Sequence, residues 1–292
     1  MPSNVAELLS LFNLERRSDG FYDAPAPKRS LLAKTYGGQY LAQALVAAEQ
    51  ELDDPSRLPH AIFATFLSAG RADEPAIASV ETLRDGKSFS TRRVALHQGS
   101  RPLLDGTVSF HVPETGYMHQ ASLPDVPPPD CCLTLGQAID WAGHTGSDMW
   151  STEWPMVEFR YAGGAIAPDG TLRTNVPTKQ RIWMRINQPL SDDPALHRTL
   201  ITYLSDVALI VSALIPHGTF VTTDNNPRAS LNHGLWLHEP TRADDWLLFD
   251  QGSAWAGRAR AHATARIFAI DGRLVASASQ EGLLRRPTGR AA

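Results

Sequence analysis

Arg71-Ala72-Asp73-Glu74-Pro75 returns as Arg242-Ala243-Asp244-Asp245-Trp246, 171 positions further along the chain. Each copy follows an apolar helical stretch and a short strand that starts at a histidine, His60 or His233. Each precedes a long strand region, and an Asp-Gly turn is expected in both (Asp105-Gly106 and Asp271-Gly272). A period this long exceeds that of a solenoid unit and marks a duplicated domain. Two copies of one fold in a single chain imply a fused pseudo-dimer with its working site at the seam, because pairing is how such halves cover their open faces.

The patterning gives each half the same content. From Tyr36-Gly37-Gly38-Gln39, the residues Leu41, Ala44, Leu45, Ala48 and Leu52 recur at helical spacing and predict a helix with one apolar stripe. Strands are expected over 62–67, 76–84, 89–97 and 103–112, punctuated by Gly70, Asp85-Gly86, Gly99 and Pro113. A proline-rich connector follows, with Pro127-Pro128-Pro129 inside it and a short helix near 133–141. The second half opens with strands over 156–161 and 181–186. Ser191-Asp192-Asp193-Pro194 then supplies a helix start, and Pro216-His217-Gly218 ends a helix running to Ile215. Strands over 231–238, 245–251, 261–269 and 274–284 complete it. One helix and an antiparallel sheet, made twice, is an α+β architecture. The halves are expected at 1–115 and 150–288, with the connector at 116–149. At the N-terminus, Asn4 with Glu7 reads as a variant capping box opening a short amphipathic helix.

The second helix, Thr199 to Ile215, is apolar on almost every side, which is the mark of a helix surrounded by protein. It is too short and too interrupted for a membrane span. Asp206 lies in its middle, and a carboxylate there must be paired, hydrogen-bonded or neutral. Its two readings are a structural aspartate and a functional one.

Other classes fall away. The 292 residues carry a net charge of −4 with no Lys/Arg-rich run, so no nucleic-acid partner is expected. The two cysteines, Cys131 and Cys132, are adjacent, which suits neither a disulfide framework nor a four-cysteine zinc site. The start lacks the basic and apolar regions of a signal peptide, and Gly289-Arg290-Ala291-Ala292 is no peroxisomal address. A cytoplasmic location is the expectation. There is no Gly-x-Ser-x-Gly elbow for a serine nucleophile. His233 and His238 should face opposite sides of a strand, which makes them structural and not a shared metal site.

An ordered set of segments resembles the acyl-CoA thioesterase II family, whose fold is the double hotdog. The segments are Tyr36-Gly37-Gly38-Gln39-Tyr40-Leu41, Val80-Glu81-Thr82-Leu83-Arg84-Asp85-Gly86-Lys87-Ser88-Phe89, Tyr203-Leu204-Ser205-Asp206, Ile215-Pro216-His217-Gly218, Ser230-Leu231-Asn232-His233-Gly234-Leu235-Trp236 and Gly272-Arg273-Leu274-Val275 through Gln280-Glu281-Gly282. The resemblance implies hydrolysis of acyl-CoA to free acid and CoA, without metal or organic cofactor, by a homo-oligomer of double units. It assigns the catalytic roles to Asp206, Ser230 and Gln280, which hold a water beside the thioester carbonyl. Asp206 would accept the proton, with Ser230 and Gln280 fixing the water's direction. Substrate contacts are expected at the helix start, Gly37, Gly38 and Gln39, whose free N–H groups suit an oxyanion. Arg92 and Arg93 alternate across a strand, so one of them is expected to meet a CoA phosphate. Asn232, Ser68, Glu239 and Trp255 depart from the family's usual residues. The competing reading is an acyl-CoA-binding protein that kept the fold and lost turnover; a hydratase lacks an evident Asp/His pair.

Overall fold

The computed structural model describes residues 1–18, 20–26, 35–167, 169–175, 179–219 and 228–285. The end expected for the second half at 288, and the C-terminal Gly289–Ala292, lie outside them.

The first half holds α1 (Val5–Ser10), β1 (Glu15–Ser18), β2 (Phe21–Ala24), α2 (Gly37–Gln50), β3 (Leu58–Phe66), β4 (Ala76–Asp85), β5 (Phe89–Gln98) and β6 (Arg101–His111). Between the halves come β7 (Leu133–Thr134), α3 (Leu135–Trp141) and α4 (Met149–Glu153). The second half holds β8 (Val157–Gly163), β9 (Lys179–Ile186), α5 (Pro194–Ser205), β10 (Arg228–Ser230), β11 (Asn232–Leu237), β12 (Leu247–Gly257), β13 (Arg260–Ala269) and β14 (Leu274–Leu284). The strands form one sheet in the order β1-β2-β4-β5-β6-β3-β11-β14-β13-β12-β9-β8-β7, with β10 beside β14. Every pairing between strands is antiparallel.

The duplication is visible in that order. Reading outward from the seam, β3-β6-β5-β4-β2 repeats as β11-β14-β13-β12-β9. At the seam Ile62 pairs with Leu235, Ala61 with Trp236 and Phe63 with Gly234. On these two strands stand the aromatic residues Phe63 and Trp236. Their rings meet edge to face at 5.2 Å on the outer side of the sheet.

The sheet wraps α2 and α5, which pack against each other. Ten of the fourteen α2 residues are buried, more than the single stripe the spacing predicted. Ala42, Ala44, Ala47 and Ala48 allow that close packing. The buried amide of Gln43 donates to the carbonyls of Leu11 and Pro25, both at 2.9 Å, which offsets its desolvation. At the N-terminus the Asn4 side chain caps Glu7 N–H at 2.9 Å, while Glu7 reaches back to Ser3.

Three expectations change. Asp105-Gly106 is not a turn: it lies inside β6, and the β5–β6 hairpin turns at Gly99, whose φ of 57° needs no side chain there. The strands β1 and β2 had no distinct sequence signal. The second helix does not run unbroken to Ile215: α5 stops at Ser205, and a 3-10 helix over Ile210–His217 follows a turn. This apolar run, Pro194–His217, is the one helical stretch among the described residues with the length and composition of a membrane span. Its apolar window is 89% buried inside the fold. The connector crosses the outer face of the second half, where Ala121, Leu123 and Val126 pack on Trp183, Leu248 and Phe268. There Trp183 Nε1–H donates to Pro127 O at 3.0 Å.

Candidate active site

The site forms where the end of α5 meets the start of α2. The buried threonine and serine hydroxyls of α5 are satisfied by its own backbone: Thr199 on Ala195 O, Thr202 on Arg198 O and Ser205 on Thr202 O, at 2.8–2.9 Å. The helix then ends and Asp206 is its C-cap residue. Asp206 is 9% exposed. Its Oδ2 accepts from Gly38 N–H at 2.9 Å and its Oδ1 from Gln280 Nε2 at 2.5 Å. Asp206 thus caps a helix of the other half, for α2 has no side-chain cap of its own.

The glycine pair makes this approach possible. A Cβ on Gly37 would lie 3.0 Å from Asp206 Oδ2, and one on Gly38 would lie 2.5 Å from Tyr203 O and 2.6 Å from the Tyr36 ring. The Tyr36 hydroxyl donates to Tyr203 O at 2.5 Å, and Tyr36, Tyr203 and Trp154 pack edge to face around the junction.

Gln280, fully buried on β14, is the hub. Its Nε2 lies 2.5 Å from Asp206 Oδ1, 3.0 Å from Ser230 Oγ and 3.3 Å from His233 Nδ1. Two N–H groups therefore serve three acceptors. Since Ser230 Oγ accepts from the amide, its own proton is left to donate elsewhere. The His233 tautomer follows in the same way. The Ser205 hydroxyl is committed to Thr202 O, so it accepts from His233 Nε2–H at 3.0 Å, and Nδ1 carries the lone pair.

Burial governs the electrostatics. It pushes the Asp206 carboxyl up to about 6, against the opposing pull of the Gln280 and Gly38 hydrogen bonds. It pushes His233 down to about 3, so the ring is neutral although its Nδ1 is 3.8 Å from Asp206 Oδ1. The arrangement offers a carboxylate near neutral pH, a hydroxyl proton and a fixed amide converging on one point, which is the equipment of a water-activating site.

Asp206, Ser230 and Gln280 are thus brought together. The other expected contacts are not. Gly38 N–H is occupied by Asp206 and Gln39 N–H by Tyr36 O at 3.2 Å, and the Gln39 side chain reaches Pro25 O, so these are not open oxyanion donors. Gly37 serves the close approach just described. Arg92 is 4% exposed and holds Asp85 at 2.8 Å and Glu51 O at 3.2 Å, tying the β4–β5 hairpin to the end of α2. Arg93 faces the other side of the sheet and pairs with Asp105 at 2.7 Å. Both guanidiniums are committed to carboxylates, and neither is placed at the Asp206 cluster. His233 joins the cluster, whereas the sequence reading kept it structural. Its position three residues after Ser230 on the same edge was the available signal. Asn232 Oδ1 accepts from Glu281 N–H at 2.9 Å, a bond that an aspartate oxygen would also make. Among the described residues, no group of three or more His, Cys, Asp and Glu side chains is arranged to hold a metal.

Two family models match the chain, one described as acyl-CoA thioesterase over residues 168–283 and one as acyl-CoA thioesterase N-terminal domain over 26–111. The chain is 31% identical to acyl-CoA thioesterase 2 of Haemophilus influenzae, covering 98% of this chain and 99% of that one. It is 32% identical to human acyl-coenzyme A thioesterase 8, over 86% and 81% of the two chains. Among solved structures, an acyl-CoA thioesterase II from Mycobacterium marinum superposes with a TM-score of 0.78 at 32% identity, covering 98% of this chain and 99% of that one. A hot dog fold protein from Alicyclobacillus acidocaldarius shares the architecture alone, with a TM-score of 0.72 at 18% identity over 95% and 97% of the chains. The two helix-and-sheet halves are a double hotdog.

Proposed function

The chain belongs to the acyl-CoA thioesterase family and is a thioester hydrolase on that ground, and we propose that its reaction is run by a water held between Asp206, Ser230 and Gln280. The observation that carries the proposal is the Gln280 amide within hydrogen-bond reach of both Asp206 and Ser230. The substrate is an acyl-CoA, and the products are the free acid and CoA.

The chemistry follows from the donors and acceptors. Asp206 Oδ1 and Oδ2 each accept one protein hydrogen bond and keep a lone pair for a water proton. The Ser230 proton, free because Oγ accepts from Gln280, is donated to the water oxygen and turns its lone pair toward the carbonyl. As the oxygen–carbon bond forms, the water proton passes to Asp206. Collapse of the adduct breaks the carbon–sulfur bond, and the CoA thiolate takes up the proton. A carboxyl whose protonation midpoint is about 6 is ionised at neutral pH yet basic enough to share that proton. A thiolate leaves readily, so no separate general acid is required. Phe63 and Trp236, half-exposed at the seam, support association of double units through this outer face.

The test is thiol release from a panel of acyl-CoA chain lengths. Turnover is expected, with Ser230→Ala and Gln280→Ala each slowing it and the pair together slowing it less than the product of the two effects, since both orient one water. Tight acyl-CoA binding with no CoA released would favour the binding-protein reading instead.

A further inference from the structure

Helix α5 has to stop at Asp206, in the middle of a core, in a run of residues with no glycine or proline from Leu196 to Ile215. Ending a helix there leaves carbonyls without helical partners, which buried backbone does not tolerate. It also requires a reversal, and the residue that makes it is Ala208, with φ +57°. That is the left-handed region, which a Cβ disfavours and glycine normally fills at a helix end. Something outside the helix must therefore hold this turn.

Two fully buried glutamines are placed to do so. Gln180 on β9 and Gln251 on β12 are cross-strand partners, both turned inward under the turn. Gln251 Nε2–H donates to Val207 O at 2.8 Å. Gln180 Nε2–H donates to Gln251 Oε1 at 2.7 Å and to Ala208 O at 3.4 Å. Among the described residues each amide nitrogen faces only acceptors, so the network fixes both orientations. The bracket grips the two carbonyls that directly follow Asp206, one of them on the left-handed residue itself.

We propose that Gln180 and Gln251 are positioning residues for Asp206: the paired amides hold the left-handed turn at Ala208, end α5 there and so keep the Asp206 carboxylate on Gly38 and Gln280. They touch neither the water nor the thioester, and the inference rests on the reading of Asp206 as the base. Without the bracket the turn relaxes toward continued helix, and the carboxylate is displaced from its two donors. A displacement of about 1 Å in such a group costs up to roughly 100-fold in rate.

The experiment uses the full chain and the thiol-release assay. Gln251→Met keeps the volume of the side chain and removes its donor. Its kcat is expected to fall about 10- to 100-fold with KM within about 3-fold, as for a misplaced base. Adding Ala208→Gly should recover much of the loss, because glycine adopts the turn without the bracket. In the Asp206→Asn background, Gln251→Met should cost nothing further. If Gln251→Met does not fold by circular dichroism, Gln180→Met, which leaves the Val207 bond in place, is read in the same way with a smaller loss. Wild-type kcat in a folded variant, a loss untouched by Ala208→Gly, or a loss that persists in full without Asp206 would each overturn the inference. If Asp206→Asn itself hydrolyses normally, the base assignment falls; if it is crippled while folded Gln251→Met is not, only the bracket falls.

Discussion

Replacing Asp206 by asparagine should make the protein slower and, above pH 6, more stable. The rate effect follows from the lost base: general-base catalysis contributes roughly 10²–10⁴-fold, so kcat should fall by that order. The stability effect follows from burial. The carboxyl is raised from the ordinary 3.8 to about 6 in the folded protein. The unfolded chain holds it near the ordinary value, so folding with the charge in place costs up to roughly 3 kcal/mol at neutral pH. The sign is that of a raised acid. The cost is absent well below pH 3.8, where both states are protonated, grows as the pH rises from there to about 6, and is constant above.

Asparagine removes the charge but not every conflict. Its oxygen can accept from Gly38 N–H, yet its Nδ2 then faces Gln280 Nε2, donor against donor, and a flipped Gln280 would turn its oxygen on the His233 lone pair. The net gain should therefore be about 1–2 kcal/mol at pH 8, below the full desolvation figure. Urea unfolding of both proteins at pH 8 and pH 4.5 measures it, and the difference cancels what other groups contribute. In kcat/KM, the wild type should show an acid limb with a midpoint near 6, and the residual activity of the variant should lack it. A folded Asp206→Asn protein with near-wild-type hydrolysis would refute the mechanism. A stability difference equal at both pH values would refute the electrostatic account.

Gly38→Ala should lose both stability and turnover, since its Cβ meets a backbone carbonyl at 2.5 Å and something must move; overpacking of this kind costs about 1–3 kcal/mol, measurable by urea unfolding beside kcat. Gly37→Ala, whose nearest contacts are side-chain atoms at 3.0 Å, should cost less stability. His233, pushed down to about 3 in the fold, should make the native state lose stability as pH falls from about 6.5 toward 3, because the unfolded chain binds the proton more readily. In His233→Asn that acid loss should shrink, and carbon-13 shifts of the wild-type ring should still report a neutral imidazole at pH 5. Arg92→Gln should lower the unfolding midpoint by removing the Asp85 and Glu51 contacts, while KM for acyl-CoA stays within about 2-fold; Arg93→Ala should alter neither strongly, because solvent screens an exposed ion pair.

Much of the fold could be read from local patterns, because the alternation in β5 and the period of α2 are direct records of which side chains meet the core. The four-residue strands β1 and β2 at one end of the sheet escaped, since a short exposed edge strand such as Glu15–Ser18 has no burial pattern to display. Asp105-Gly106 misled for a related reason: the dipeptide carries turn chemistry, but in β6 the glycine is there because a Cβ would lie 2.5 Å from Phe63 O. In the site, Asp206 stood out as a lone acid in an apolar helix. The break after it did not, because no glycine or proline announces it and the left-handed residue is an alanine. What holds that break comes from Gln180 and Gln251, distant in sequence and polar residues on inward strand positions. The same limit explains Arg92: alternation says that Arg92 and Arg93 face opposite sides, but not which side carries Asp85.

The duplication also shows how one chain of two like halves comes to hold an asymmetric site. Where the end of α5 meets the start of α2, a carboxylate lies on a glycine-lined helix start and, among the described residues, is hydrogen-bonded only by neutral donors, so burial raises it. Toward the end of α2 the facing carboxylate is Glu49, which meets Arg198 of α5 at 2.9 Å. Burial raises the Glu49 carboxyl as well, against the pull of the guanidinium, which donates twice to Oε1 and ties the two helices together. The seam repeats the contrast. His233 sits neutral and buried beside Gln280, while His60 of the neighbouring strand β3 is half-buried and has Ser109 as its hydrogen-bond partner at 2.8 Å. The same pairing of helix and sheet therefore places a raised carboxyl at each end, and the two differ in their company: Glu49 is tied to a cation, while Asp206 meets two amides, one of which also holds the Ser230 hydroxyl.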